Sequence, residues 1–128
     1  MPLLLGFLGV FLGSGLGGMA RYGVGMLVAR WSATAFPWGT LIVNIAGAAL
    51  MGLVMGTFAA KEIDHPALRL FLTTGILGGF TTWSTFSLDA VTLWQRGEAP
   101  MAVSYVAASL VLSLVVLTAA LALSRRFA

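Results

Sequence analysis

The chain of 128 residues has no cysteine and very little charge. The absence of cysteine excludes disulfides and thiolate metal sites. Charged residues make up only 9% of the sequence against 59% hydrophobic residues, which is too little polar surface for a water-soluble domain. The formal net charge of +3 rests on so few groups that it does not indicate nucleic-acid binding. The composition therefore predicts an integral membrane protein.

Long apolar segments alternate with short breaks that contain prolines and charges. They predict an all-α fold, a single domain over residues 1–128 with four transmembrane helices. Each segment is long enough to cross a hydrocarbon core of about 30 Å. Trp31, Trp38 and Trp94 fall on one face of this arrangement, as expected for an interfacial aromatic belt. The predicted spans are residues 3–29, 38–60, 67–93 and 99–123.

The third segment carries an unusual tract at residues 78–87, with the sequence GGFTTWSTFS. Adjacent glycines weaken a helix, and hydroxyl side chains offer the backbone other hydrogen-bond partners. In hydrocarbon, an unwound backbone is tolerated only where protein buries it or where it lines a polar cavity. The tract therefore predicts that the third helix is broken near its middle, at a site or a pore.

The polar side chains of the spans cluster in one half of the bilayer when depth is counted at about 1.5 Å per residue. Three hydroxyl residues of the last span are spaced by four, which places them on one helix face. A second copy, inverted about an axis in the membrane plane, would continue this polar set across the bilayer. The difference in positive charge between the two faces is slight, so both orientations are expected. The clustered residues are Asn44, Trp83, Phe86, Tyr105, Ser109 and Ser113.

The chemistry of this cluster favours a small anion. Its amide, hydroxyl and ring-edge groups are donors or carry partial positive charge. A cation path or a proton relay would require deep carboxylates or histidine, and the nearest acid, Asp89, is close to the end of its span. Arg21, toward one end of the first span, could draw anions into a vestibule.

Each feature also has a structural interpretation. Gly9, Gly13 and Gly17 have the spacing of close helix packing, and a lone Asn44 can join helices. Serines often bond the carbonyl four residues back, and Arg21 could be an interfacial anchor. A structural subunit of a larger membrane complex therefore stays open as an alternative. A small dual-topology drug exporter is less favoured without a deep carboxylate, and an enzyme lacks a paired nucleophile and base.

Three motifs in order resemble the Fluc (CrcB) fluoride channels: residues 17–22 (GGMARY), 39–47 (GTLIVNIAG) and 79–86 (GFTTWSTF). The resemblance covers the whole chain in length, number of spans and hydroxyl spacing. It implies a dual-topology, antiparallel homodimer with two pores. The dimer would lie in the lipid bilayer of the inner or plasma membrane of a prokaryote. The resemblance also implies passive, selective fluoride export that lowers cytoplasmic fluoride and confers fluoride resistance.

The resemblance further implies roles for individual residues. Asn44 would be a pore donor, Trp83 and Phe86 a ring pair, and Tyr105, Ser109 and Ser113 a polar track. Arg21 would lie in the vestibule. A structural Na⁺ at the dimer centre would be held by the backbone carbonyls of Gly78 and Thr81.

The sequence departs from the family pattern at two positions. Trp83 stands where the family usually has phenylalanine, and Leu117 replaces a further hydroxyl one turn beyond Ser113. Tryptophan keeps a positive ring edge and adds an N–H donor. Leu117 leaves the far end of the track without this hydroxyl, and Thr118 is adjacent.

Overall fold

A computed structural model describes residues 1–127, and all regular structure within them is helical. Three helices are long and apolar enough to cross a membrane: α1 (Leu3–Trp31), α2 (Trp38–Ala60) and α6 (Ala99–Phe127). Between α2 and α6 lies a broken segment, made of α3 (Pro66–Leu70), a π-helix (Phe71–Leu77), α4 (Gly78–Phe80) and α5 (Trp83–Gln95). The all-helical fold with an interrupted third segment is thus confirmed.

Local chemistry sets the ends of these helices. His65 caps α3 by accepting the Leu68 N–H on its Nδ1 atom at 3.1 Å. Pro66 follows at the first helical position, where its missing N–H is not needed. Gly97, with φ of 79°, ends α5 in the left-handed conformation that glycine adopts without steric cost. These turns keep the connections short.

The helices pack through glycines. α2 lies along α6, where Gly52 and Gly56 leave room for the α6 backbone and for Ser124. α1 lies along the π-helix and α4, and a side chain at Gly13 or Gly17 would overlap their backbone. The packing interpretation of Gly13 and Gly17 is therefore confirmed. Gly9 is looser, since an added Cβ atom there would only touch Phe71 at 3.9 Å.

The π-helix over Phe71–Leu77 was not predicted. It lies where Gly75 meets α1, so closely that an added Cβ atom would be 3.1 Å from the Gly13 Cα atom and 3.2 Å from the Gly9 carbonyl oxygen. Such a wide turn changes the helical register just before the break. The small apolar core lies away from the π-helix, between α2, α5 and α6, and consists of Leu41, Phe86, Leu93, Ala102 and Tyr105.

Candidate functional site

The break in the third segment falls at Thr81 and Thr82, whose backbones are extended. Asn44 of α2 bonds both backbone polar groups of Thr82. Its Nδ2 donates to the Thr82 carbonyl at 3.0 Å, and its Oδ1 accepts the Thr82 N–H at 2.8 Å. Gly47, one turn further along α2, leaves the space that the Thr81 methyl group occupies. The motif at residues 39–47 therefore supports the extended backbone from outside the segment.

The position of the break differs from the expectation that adjacent glycines would unwind the helix. Gly78 and Gly79 are helical. An added Cβ atom at Gly79 would lie 2.8 Å from the Ser14 Cα atom of α1. Close packing on α1 thus accounts for Gly79, whereas Asn44 accounts for the extended residues.

Two backbone carbonyls at the break have lost their helical donors. The Thr82 N–H, which would bond Gly78 in a continuous helix, is taken by Asn44 at 2.8 Å. The Thr85 N–H, which would bond Thr81, is taken by the Thr82 hydroxyl at 3.2 Å. Gly78 and Thr81 are the residues that the resemblance assigned to Na⁺. Freed carbonyl oxygens are suitable ligands for a hard monovalent cation, so these two carbonyl groups fit that ion.

Arg21 reaches the same break from α1. Its Nε donates to the Gly79 carbonyl at 3.2 Å, and the side chain is half-buried. The guanidinium borders a cavity of about 190 Å³ that contains both polar and apolar groups. Arg21 therefore contacts the broken helix directly, which the sequence reasoning did not anticipate. The cavity is lined by Arg21, Gly25, Pro37, Gly39, Thr40, Val43, Thr82, Thr85 and Asp89.

An open groove of about 360 Å³ lies on the other side of Thr82, between α2, the break and α6. The Phe86 ring is buried, whereas Trp83 is 70% exposed, and their ring centroids are 4.9 Å apart. Five of the six predicted pore residues line this groove: Asn44, Trp83, Phe86, Ser109 and Ser113.

The hydroxyls of α6 divide into two groups. Ser104 and Thr118 bond the carbonyls four residues back, at 2.8 Å each. Ser109 is only 6% exposed, and its Oγ has no partner among the described residues. Ser113 also lines the groove, and no side-chain bond is made by it within residues 1–127. The two α6 serines of the groove, Ser109 and Ser113, thus have hydroxyls that are free to donate.

The far end of the groove is apolar. Leu117 lines it, whereas the adjacent Thr118 is exposed and bonded to its own helix. Thr118 therefore does not replace the missing hydroxyl in this chain.

Tyr105 lies apart from the groove. It is fully buried, its ring packs on Phe86 at 5.3 Å and meets Phe36 edge-on at 5.6 Å. Its hydroxyl donates to Asp89 Oδ2 at 3.1 Å. Since Asp89 borders the cavity of Arg21, Tyr105 stands between that cavity and the ring pair.

Asp89 and Thr82 are the residues that sequence reasoning missed. Asp89 is close to the end of its span, but it is three residues after Phe86 and so shares its helix face. Thr82 has the pattern of a helix cap, a threonine followed by a new apolar helix. The capping threonine lies within the tract at residues 78–87, and the acid that shares a face with Phe86 lies two residues after it.

The chain is similar to one protein family and to several named relatives along most of its length. Residues 8–121 match the family described as "CrcB-like protein, Camphor Resistance (CrcB)". A protein of Granulibacter bethesdensis is 51% identical over 122 residues, covering 95% of this chain and 96% of its own length, and is named "Fluoride-specific ion channel FluC". Relatives with the same name occur in Methylobacterium nodulans, with 50% identity over 97% of this chain and 99% of the relative, and in Paracoccus denitrificans, with 51% over 93% and 94%. The chain therefore belongs to the CrcB family.

Proposed function

We propose that this protein is a fluoride-selective channel that lets fluoride leave the cytoplasm down its gradient. The relatives that align along nearly the whole chain are named fluoride-specific ion channels, and five of the six predicted pore residues line one groove. As a channel it is not an enzyme. We further propose that it is a multi-pass protein of the inner or plasma membrane of a prokaryote, in keeping with its apolar helices and bacterial relatives.

The observation that carries this proposal is the Ser109 hydroxyl. A buried hydroxyl without a partner is costly, commonly by about 1–3 kcal/mol, and Ser109 is such a group in the groove. An anion that accepts its hydrogen bond would remove this cost. Fluoride is small and hard, so it requires donors to replace its water.

The other groove residues supply partial positive charge without a full charge that would trap the ion. Asn44 uses one amide N–H on the Thr82 carbonyl and has a second to offer. The Phe86 and Trp83 rings offer positive edges, and Ser113 a further hydroxyl. Asp89, the acid of this region, borders the other cavity and not the groove.

The groove is open, and the Trp83 side chain that lines it is 70% exposed within one chain. We propose that a second, antiparallel copy covers it and supplies the other half of each path. Gly78 and Thr81 of the two copies would hold Na⁺ through their carbonyls. The four freed carbonyl oxygens, two from each copy, would coordinate the ion and so link the two broken segments.

The test is fluoride efflux from liposomes that contain only this protein, with no proton or sodium gradient. We expect efflux of fluoride and no comparable efflux of chloride. A structural subunit of a larger complex would give no flux alone, and a proton-coupled exporter would require a proton gradient. Absent fluoride flux, or equal chloride flux, would contradict the proposal.

A further inference from the structure

Arg21 contacts the broken helix at one defined atom. In a continuous helix the Gly79 carbonyl would accept the N–H of Trp83, but Trp83 begins the new helix α5. The Arg21 Nε donates to this carbonyl instead, at 3.2 Å, across 58 residues of sequence. The bond therefore replaces a helical hydrogen bond that the break removes.

We propose that Arg21 is a positioning residue for the broken helix, acting through its Nε–H and not primarily through its charge. Gly79 lies between Gly78 and Thr81, whose carbonyls lack their helical donors. Holding the Gly79 carbonyl fixes the last turn before the break and thereby the direction of its neighbours. The assignment rests on the proposed function in taking those two carbonyls as the Na⁺ ligands.

A role for Arg21 as a simple attractor of anions has less support. Its cavity of about 190 Å³ also contains the Asp89 carboxylate, of opposite formal charge. The long-range hydrogen bond, by contrast, is directional and has a single acceptor. Charge and hydrogen bond are separable by substitution.

Glutamine and lysine separate the two properties because of where their atoms fall. The Nε2 atom of glutamine is attached to Cδ, as Nε is in arginine, so Arg21→Gln keeps an N–H at the bonding position and loses the charge. Lysine has a methylene group there, so Arg21→Lys keeps the charge and loses that donor. Arg21→Ala removes both.

The first measurement is the melting temperature of the purified protein against Na⁺ concentration, with N-methylglucamine keeping the ionic strength constant. We expect wild type and Arg21→Gln to reach half of the Na⁺-dependent stabilisation at similar concentrations. Arg21→Lys and Arg21→Ala should require about tenfold more Na⁺, the upper end of what one ordinary hydrogen bond contributes. Arg30→Gln and Arg30→Lys, at the exposed end of α1, are matched controls that should not shift it.

Fluoride efflux is the second measurement, in which Arg21→Gln should stay near wild type and Arg21→Lys should lose most of its flux. If Arg21→Lys matches wild type while Arg21→Gln fails, charge is the property that matters and the proposal is overturned. Equal behaviour of the two variants, whether both intact or both impaired, overturns it as well. A wild type that gives no flux but shows the expected Na⁺ shifts contradicts the proposed function and leaves the positioning role supported.

Discussion

The aromatic pair of the groove combines a buried ring and an exposed ring on one helix face. Phe86 contacts both Tyr105 and Trp83, with ring centroids 5.3 and 4.9 Å away. Trp83 is mostly exposed within its own chain. The two positions should therefore differ in their tolerance of substitution.

Replacing Phe86 with isoleucine keeps apolar bulk and removes the positive ring edge, whereas Trp83→Phe keeps an edge and removes only the indole N–H. We expect Phe86→Ile to abolish or strongly reduce fluoride flux in a folded protein, and Trp83→Phe to retain flux. Liposome efflux, with size-exclusion chromatography to establish folding, is the measurement. Wild-type conduction by Phe86→Ile would show that the rings serve packing only.

Ser109 gives a prediction in which stability and function separate. Because its hydroxyl has no partner among the described residues, Ser109→Ala should leave the melting temperature unchanged or raise it. Fluoride flux should fall about tenfold or more, since the groove loses a donor worth roughly 1–2 kcal/mol to the ion. Ser104→Ala is the matched control, since that exposed hydroxyl bonds its own helix, and it should alter neither quantity. Parallel losses of stability and flux in Ser109→Ala would instead indicate a packing role.

At the scale of elements, the break depends on its neighbours. The extended residues Thr81 and Thr82 are held by Asn44 and accommodated by Gly47, both on α2, while Arg21 of α1 bonds Gly79. Thr81 is further fixed by its hydroxyl, which donates to the Leu77 carbonyl at 2.9 Å. A substitution on α2 should therefore disturb the structure of the third segment, although the sequence of that segment is unchanged.

Gly47→Ala tests this dependence. The added methyl group would overlap the Thr81 methyl, which the bond to Leu77 prevents from rotating freely. We expect a loss of about 1–3 kcal/mol in stability together with lower fluoride flux, measured by thermal unfolding and liposome efflux. Gly15→Ala is the control, because an added Cβ atom there meets nothing within 4 Å. If Gly47→Ala behaves like Gly15→Ala, the close approach of α2 to the break is not required.

Sequence reasoning predicted these elements unevenly. The ends of α2 and the existence of an interrupted third segment followed from apolar length and from the glycine and hydroxyl tract. The exact break did not, because it depends on Asn44, 38 residues earlier in the chain. Likewise, the spacing of Tyr105, Ser109 and Ser113 predicted one face, but Tyr105 turns its hydroxyl to Asp89. Contacts between elements far apart in sequence decide such details, and local patterns do not contain them.

For the whole molecule, many large apolar side chains are exposed along the helices. Large side chains such as Phe7, Phe11 and Leu114 are each at least two-thirds exposed. Positively charged side chains occur toward both ends: Lys61, Arg69, Arg125 and Arg126 on one side, against Arg30, Arg96 and Arg21 toward the other. Four against three is a slight bias and gives little reason for a single orientation in the bilayer.

We therefore expect both orientations in one membrane. The chain has no cysteine, so single variants Thr34→Cys and Ile63→Cys place one thiol in each of two loops on opposite faces. A membrane-impermeant maleimide added to intact cells should label part of each variant, and lysis should allow the rest to react. Labelling of one variant only from outside, and of the other only from inside, would establish a single topology.

The unbonded hydroxyls of α6 have one more consequence. An amide N–H points in a fixed direction, but a serine hydroxyl hydrogen can swing about the Cβ–Oγ bond. Ser109 and Ser113 are four residues apart, about 6 Å along the helix axis. Since neither is tied to its own backbone, each could follow an ion as it approaches and turn toward the next position as it leaves. The two hydroxyls would act as rotating dipoles. Their rotation would lower the energy barrier for an ion that moves from one serine to the next, without creating a deep binding site that would hold it.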